Sequence, residues 1–196
     1  MRILIDMQGD QTGSHYRGIG RFLRELVGAL IKGYPSHHFI LHFDASMPAS
    51  VCRWRERSLA RHSNVEINTG SMPPGIHRRA LHREPWRDIV ADLYTRAIER
   101  AEPDVVLIPS FFESEAVVNL SRLQPRIRRV VLLHDLIPLV NPQDYLDHDP
   151  DIKADYLHRL EELKGADQLL CNSAFTAQEA VEWLDVDESS TTPIWA

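Results

Sequence analysis

Short runs of consecutive aliphatic residues alternate along the chain with longer stretches in which apolar positions recur every three or four residues. The first pattern suits strands covered on both faces, and the second suits amphipathic helices. Ile3-Leu4-Ile5 opens the series of strands, followed by Phe39–Phe43, Val65–Ile67, Asp104–Ile108, Arg129–His134 and Asp167–Cys171. Between them a helix is expected from Gly20 to Lys32, with Phe22, Leu23, Leu26, Val27 and Leu30 on one stripe. Gly33 and Pro35 end it. A second helix starts at Pro85 and carries Trp86, Ile89, Val90, Leu93, Ala97 and Ile98 at helical spacing. A third runs from Asp151 to Lys164, closed by Gly165, and a fourth is capped by Ser173. Strands alternating with helices predict an α/β fold: one doubly wound domain around a mostly parallel sheet.

Thr192–Ala196 begins another strand-like run and stops with nothing to pair against. The expected organisation is therefore one domain over residues 1–190, with residues 191–196 starting a linker to a missing C-terminal domain.

Composition narrows the class. At 43% hydrophobic and 26% charged residues the chain is that of an ordinary globular protein rather than a disordered one. A net charge of -6 excludes a generic nucleic-acid binder. The charge is uneven, with eight arginines between Arg53 and Arg87 against Glu56, Glu66 and Glu84. That stretch reads either as a solvated helical face or as a patch that touches anionic lipid headgroups or an acceptor phosphate. Cys52 and Cys171 are far apart and lack metal-ligand spacing, which fits thiols in a reducing compartment. No signal peptide and no transmembrane run is seen, so the protein is expected in the cytoplasm.

In an open α/β sheet, ligands bind outside the carboxyl ends of the strands, so candidate chemistry is sought there. After the first strand a long loop, Met7–Arg17, leads into Gly18-Ile19-Gly20-Arg21. Two glycines at a helix start let backbone N–H groups approach an anion, although the plain reading is a helix-entry turn. The spacing is not the dinucleotide fingerprint, and no Walker lysine follows. Pro109–Ser114 sets Phe111, Phe112 and Glu113 on a strand-end loop, suited to stacking on a sugar and bonding its hydroxyls, or else a hydrophobic plug. His134 and Asp135 follow the next strand, where an imidazole could bond a sugar hydroxyl or phosphate, or simply a backbone carbonyl. Ser173 is explained as an N-cap. The acidic run Asp144–Asp151 lacks the glycine and terminal glutamate of a calcium hand and reads as the solvated start of a helix.

Three stretches together resemble the N-terminal domain of glycosyltransferase family 4, in particular its bacterial mannosyltransferase-like members of polysaccharide and O-antigen synthesis. They are Gly18-Ile19-Gly20-Arg21-Phe22-x-x-Glu25-Leu26, Leu132-Leu133-His134-Asp135-Leu136-Ile137-Pro138, and Ala166-Asp167 through Asn172-Ser173-Ala174-Phe175-Thr176. The resemblance implies the Rossmann-like, acceptor-side half of a two-domain GT-B enzyme, a retaining hexosyltransferase. A nucleotide-sugar would be bound by the missing C-terminal half, and the acceptor would be a glycan or a lipid-linked glycan. It places Gly18, Gly20 and Arg21 at the donor diphosphate and His134 beside the transferred sugar, as the catalytic residue. Phe112, Glu113, Asp135 and Ser173 fall to the acceptor. No cofactor and no metal is implied, because helix dipoles and cations neutralise the leaving diphosphate. Peripheral contact with the inner face of the cell membrane fits the arginine-rich stretch. The fragment alone is expected to transfer no sugar.

Two rivals remain at this level. One is a non-catalytic nucleotide- or sugar-binding Rossmann module. The other is a nucleotide-dependent oxidoreductase, which wants a tight glycine turn after the first strand and an acid at the end of the second. The long Met7–Arg17 loop argues against it, although Asp44 sits near the required place.

Overall fold

The computed structural model describes residues 1–45, 47–54, 62–70, 86–112 and 118–194, and only the backbone of Pro48, Ala49, Trp86 and Arg87. Among the described residues seven strands form one sheet: β1 Arg2–Asp6, β2 His38–Asp44, β3 Val65–Gly70, β4 Val105–Ile108, β5 Arg128–Leu133, β6 Gln168–Cys171 and β7 Thr191–Pro193. Their spatial order is β3-β2-β1-β4-β5-β6-β7, and every neighbouring pair is parallel. The expected mostly parallel sheet is thus parallel throughout.

The helices are α1 Gly18–Gly33, α2 Pro48–Trp54, α3 Trp86–Glu99, the short α4 Ile137–Val140 and α5 Pro142–Tyr145, α6 Pro150–Leu163 and α7 Ala174–Leu184. They split between the two faces as the strand order requires. Leu23, Val27 and Ile31 of α1 and Val51 of α2 pack on Ile5, Phe39, Leu41 and Phe43 on one side. Tyr94 and Ile98 of α3, Leu160 and Leu163 of α6 and Ala180 and Leu184 of α7 pack on Leu4, Ile40, Val106, Val131 and Leu169 on the other. Successive residues of one strand feed opposite cores, which is why the strands read as unbroken apolar runs.

Three local readings change. Thr191–Pro193 does have something to pair against: it lies beside β6 with Thr191 opposite Leu169 and Pro193 opposite Cys171. The proline is tolerated because its missing N–H falls at the end of a sheet-edge strand. Met7–Arg17 is not an open loop but two 3-10 turns, Gln8–Asp10 and Gly13–Tyr16. Helix α1 begins two residues earlier than expected, so Gly18 and Gly20 belong to its first turn. The expected helix start at Pro85 and the loop Met72–Gly75 lie outside the described residues, as does most of the arginine-rich stretch. Among the described residues no helix is long and apolar enough to cross a membrane.

The acidic run before α6 follows its plain reading. Asp149 caps the helix, its Oδ1 accepting from the N–H of Asp151 at 2.9 Å and of Ile152 at 3.2 Å. Asp147 pairs with Lys153 at 2.7 Å.

Candidate functional site

The chain leaves β1 towards β2 on one side, while β4 leads to β5 on the other, so the winding reverses between β1 and β4. A crevice opens at such a point beyond the strand ends. Its floor is polar and fully enclosed. The Asp6 carboxylate, at the end of β1, accepts from Tyr94 Oη at 2.7 Å and from the backbone N–H and Nε2 of Gln8 at 3.1 Å each. Burial pushes its pKa from 3.8 up to about 6 against the pull of those donors, and the nearby Asp44 charge adds to the rise. His42, opposite Asp6 on β2, is wholly buried, and neither ring nitrogen has a hydrogen-bond partner. Burial lowers its pKa from 6.5 to about 4. At 2% and 0% exposure neither side chain can touch a substrate, so both act on structure.

The β1–α1 segment is pinned above this floor. Gln11 clamps the end of β2, donating from Nε2 to the Asp44 carbonyl at 2.8 Å and accepting from the Asp44 N–H at 2.7 Å. Asp10, 1% exposed, contacts His15 Nδ1 at 2.8 Å and accepts from Arg24 Nη1 at 2.7 Å and Trp54 Nε1 at 2.8 Å. This arrangement answers the oxidoreductase rival. Asp44 is buried at 3% exposure, and the turns of residues 8–16 occupy the place of a tight glycine loop.

The two glycines of α1 have different surroundings. A Cβ on Gly20 would lie 2.7 Å from the Cα of His15, so the preceding 3-10 turn packs directly on it. A Cβ on Gly18 would meet nothing within 4 Å. Gly18 is exposed at the helix start, where no side chain caps the free N–H groups, and Arg21 is exposed one turn on.

His134 follows β5. Its Nε2 lies 2.9 Å from the Pro109 carbonyl, so in the neutral ring Nε2 carries the proton and Nδ1 keeps its lone pair for another donor. The ring meets Phe22 of α1 edge-on at 6.1 Å. A cavity of about 90 Å3 lies here, lined by Ile19, Ser110, Phe111, Phe112, Leu132, His134, Asp135, Pro138 and Tyr156. The helix start between Gly18 and Gly20, the imidazole and the β4 loop therefore share one crevice. Wider grooves, about 680 Å3 between α7 and β7 and about 470 Å3 along α1, lie off this point.

The remaining sequence candidates divide. Phe112 is half-buried and lines the cavity. Asp135 is exposed at its rim, and its carboxylate accepts from the Ile137 N–H at 3.1 Å rather than orienting the imidazole. Ser173 does not line the cavity. Its Oγ caps α7, accepting from the Thr176 N–H at 3.0 Å. Glu113 lies outside the described residues.

Several contributors escaped the sequence reading. Tyr156 of α6 stacks on Phe112 with centroids 5.0 Å apart and planes 24° apart. Arg159, one turn on and only 6% exposed, donates to the Phe111 carbonyl at 3.0 Å and to Asp155 at 2.8 Å. Thr176 Oγ1 bonds Asn172 Oδ1 at 2.9 Å and the His134 carbonyl at 3.4 Å, tying the start of α7 to the end of β5. No local pattern distinguishes Tyr156 or Arg159 from other positions of an amphipathic helix. The Asn172-Ser173-x-x-Thr176 spacing was legible, but its link to His134 was not.

Comparison with known proteins adds an independent line. A sequence model described as Glycosyltransferase Family 4 matches residues 16–195. The serotype-specific mannosyltransferase WbdA of Escherichia coli is 30% identical over 197 residues, covering 95% of this chain and 22% of that protein. Another E. coli WbdA is 34% identical over 113 residues, covering 56% of this chain and 13% of its own length. The chain thus spans less than a quarter of the curated relatives it matches. Among solved structures, Arabidopsis thaliana UGT89C1 complexed with UDP-L-rhamnose aligns with a TM-score of 0.55 at 13% identity, covering 98% of this chain and 51% of that one. The same enzyme complexed with quercetin gives 0.54 at 13% identity, covering 98% and 49%. At that identity the likeness is one of fold: the chain has the Rossmann-like α/β architecture found in half of a GT-B glycosyltransferase.

Proposed function

Because the chain belongs to glycosyltransferase family 4, we propose that it is the acceptor-binding half of a retaining glycosyltransferase. The reaction moves a hexosyl group from a nucleotide-sugar to a glycan or lipid-linked acceptor, and mannose in O-antigen or related polysaccharide assembly is the reading that the WbdA relatives favour. The observation that carries the proposal is the shared crevice: Ile19, between the two glycines, and His134 line one cavity at the carboxyl edge of the sheet.

That geometry supports the following roles. The uncapped amides of the first turn of α1, with the helix dipole behind them, face the side from which a donor diphosphate arrives. Gly18 leaves that approach unobstructed, and Arg21 adds a cation. His134 Nδ1 accepts a hydrogen bond from a hydroxyl of the sugar in transit while Nε2 stays tied to Pro109. Stabilisation of the leaving diphosphate by fixed dipoles and cations needs no metal. Residues of a second, donor-binding domain complete the site, so this chain by itself transfers nothing.

The test compares this chain with a form joined to its donor-binding half, each incubated with a panel of nucleotide-hexoses and O-polysaccharide acceptor. Transfer is expected only from the joined form. His134→Ala there should lower turnover on the order of 100-fold, as loss of one positioned polar group in a transition state does, with the fold retained. Turnover by the isolated chain, or full turnover in His134→Ala, overturns the assignment.

A further inference from the structure

Tyr156 was not among the residues singled out by sequence, yet it forms a wall of the crevice beside His134. The residue is 9% exposed, and among the described residues its phenol oxygen has no hydrogen-bond partner. The backbone N–H of Leu139 acts on the phenol, but its own well-formed hydrogen bond runs to the Leu136 carbonyl at 2.9 Å. Ser110 Oγ, on the opposite strand-end loop of the same cavity, is likewise buried without a partner. A buried hydroxyl left unmade costs stability, so two beside one cavity need a reason.

The rest of the lining defines what could satisfy them. Phe112 lies against Tyr156, Phe111 meets Phe112 edge-on at 5.6 Å, and Ile19, Leu132 and Pro138 complete an apolar surround. Among the described residues Asp135 is the one carboxylate of the lining, and no lysine or arginine joins it. Aromatic faces, spare hydroxyls and an acid suit a neutral, hydroxyl-bearing ring, and they disfavour a phosphate or other anion. The wall is held rigidly, because Arg159, itself buried and paired with Asp155, grips the Phe111 carbonyl from the next turn of α6.

We infer that Tyr156 is a specificity-determining residue for the acceptor: a pyranose ring of the acceptor lies against the Phe112–Tyr156 wall, and one ring hydroxyl bonds the phenol oxygen. The inference rests on the transferase reading for the word acceptor, but the sugar subsite can be measured without turnover.

Methyl α-mannopyranoside and methyl α-glucopyranoside are titrated into the chain, followed by saturation-transfer NMR, with Tyr156→Phe, Phe112→Leu and inorganic phosphate as a competitor. At least one glycoside should bind in the millimolar range. Tyr156→Phe should weaken it about tenfold, the worth of one hydrogen bond, and at the same time raise the melting temperature, because the orphaned hydroxyl is gone. Phe112→Leu should also weaken it, and phosphate should not displace it. Unchanged affinity in Tyr156→Phe, displacement by phosphate, or no glycoside binding overturns the inference. Glycoside binding lost in Tyr156→Phe, beside a joined two-domain protein that transfers no sugar, leaves the subsite standing and removes the transferase reading instead.

Discussion

Gly18 and Gly20 stand two positions apart in the same helical turn, and a methyl group would act on them in opposite ways. At Gly20 it would press into the backbone of Ser14 and His15, so Gly20→Ala should cost about 1–3 kcal/mol, as overpacking does. At Gly18 it meets nothing, so Gly18→Ala should stay within about 0.5 kcal/mol of the parent in urea denaturation. A Gly18→Ala loss as large as that of Gly20→Ala would remove the case for an open approach at Gly18. The paired glycines were visible in the sequence; that one serves packing and the other faces open space was not, because the contact comes from a 3-10 turn that no periodicity announces. The buried pair Asp6 and His42 gives a second prediction. Asp6 has its pKa raised from 3.8 to about 6, so its contribution to stability is full below 3.8 and is lost as pH rises through 6. His42 has its pKa lowered from 6.5 to about 4, so its contribution is full above 6.5 and is lost as pH falls through 4. Each is worth roughly 3 kcal/mol across its window, with opposite sign, and in the parent they largely cancel. His42→Leu should therefore lose stability as pH rises from 4 to 6, and Asp6→Asn should lose it as pH falls from 6.5 to 4, each relative to the parent. Parallel pH profiles for all three proteins would refute this.

At the scale of elements, the unbroken apolar runs of β1, β2, β4, β5 and β6 were legible because each strand is covered on both faces. The helices α1, α3, α6 and α7 were legible because each buries one stripe. Helix α2 and the short α4 and α5 were missed: four to seven residues are too few for a helical period to stand out. The clasp between α6 and the loop after β4 was also invisible, since it joins positions 48 apart through a backbone carbonyl. That clasp is testable. Arg159→Met leaves Asp155 and the Phe111 carbonyl without their shared donor in a buried place, and should destabilise the fold by about 3–5 kcal/mol. Double replacement of Arg159 and Asp155 by Met and Leu should recover part of that loss by removing the carboxylate together with its guanidinium. If the double variant is as unstable as the single one, the cost lies in packing and not in the ion pair. The cap of α7, outside the cavity, has a simpler role, and Ser173→Ala should cost about 1 kcal/mol.

For the whole molecule, the point where the winding reverses explains why residues as distant as Ile19, Phe112, His134 and Tyr156 meet: each follows or covers a strand whose carboxyl end opens on the same side. The sequence supplied the strands and their order of appearance, and the resemblance supplied which loops to compare. The sheet order is what makes those loops neighbours. The same order takes in the last described residues. β7 pairs with β6, with the Ile194 N–H reaching the Cys171 carbonyl at 2.6 Å. Residues 191–194 therefore belong to the domain and are more than a tether. Truncation after Ser190 should strip β6 of its ladder, leave an open edge beside Leu169 and Cys171, and produce a lower melting temperature with concentration-dependent aggregation. The chain through Ala196 should unfold in one cooperative step and remain monodisperse. Equal melting temperatures for the two lengths would mean that β7 only rests on the sheet.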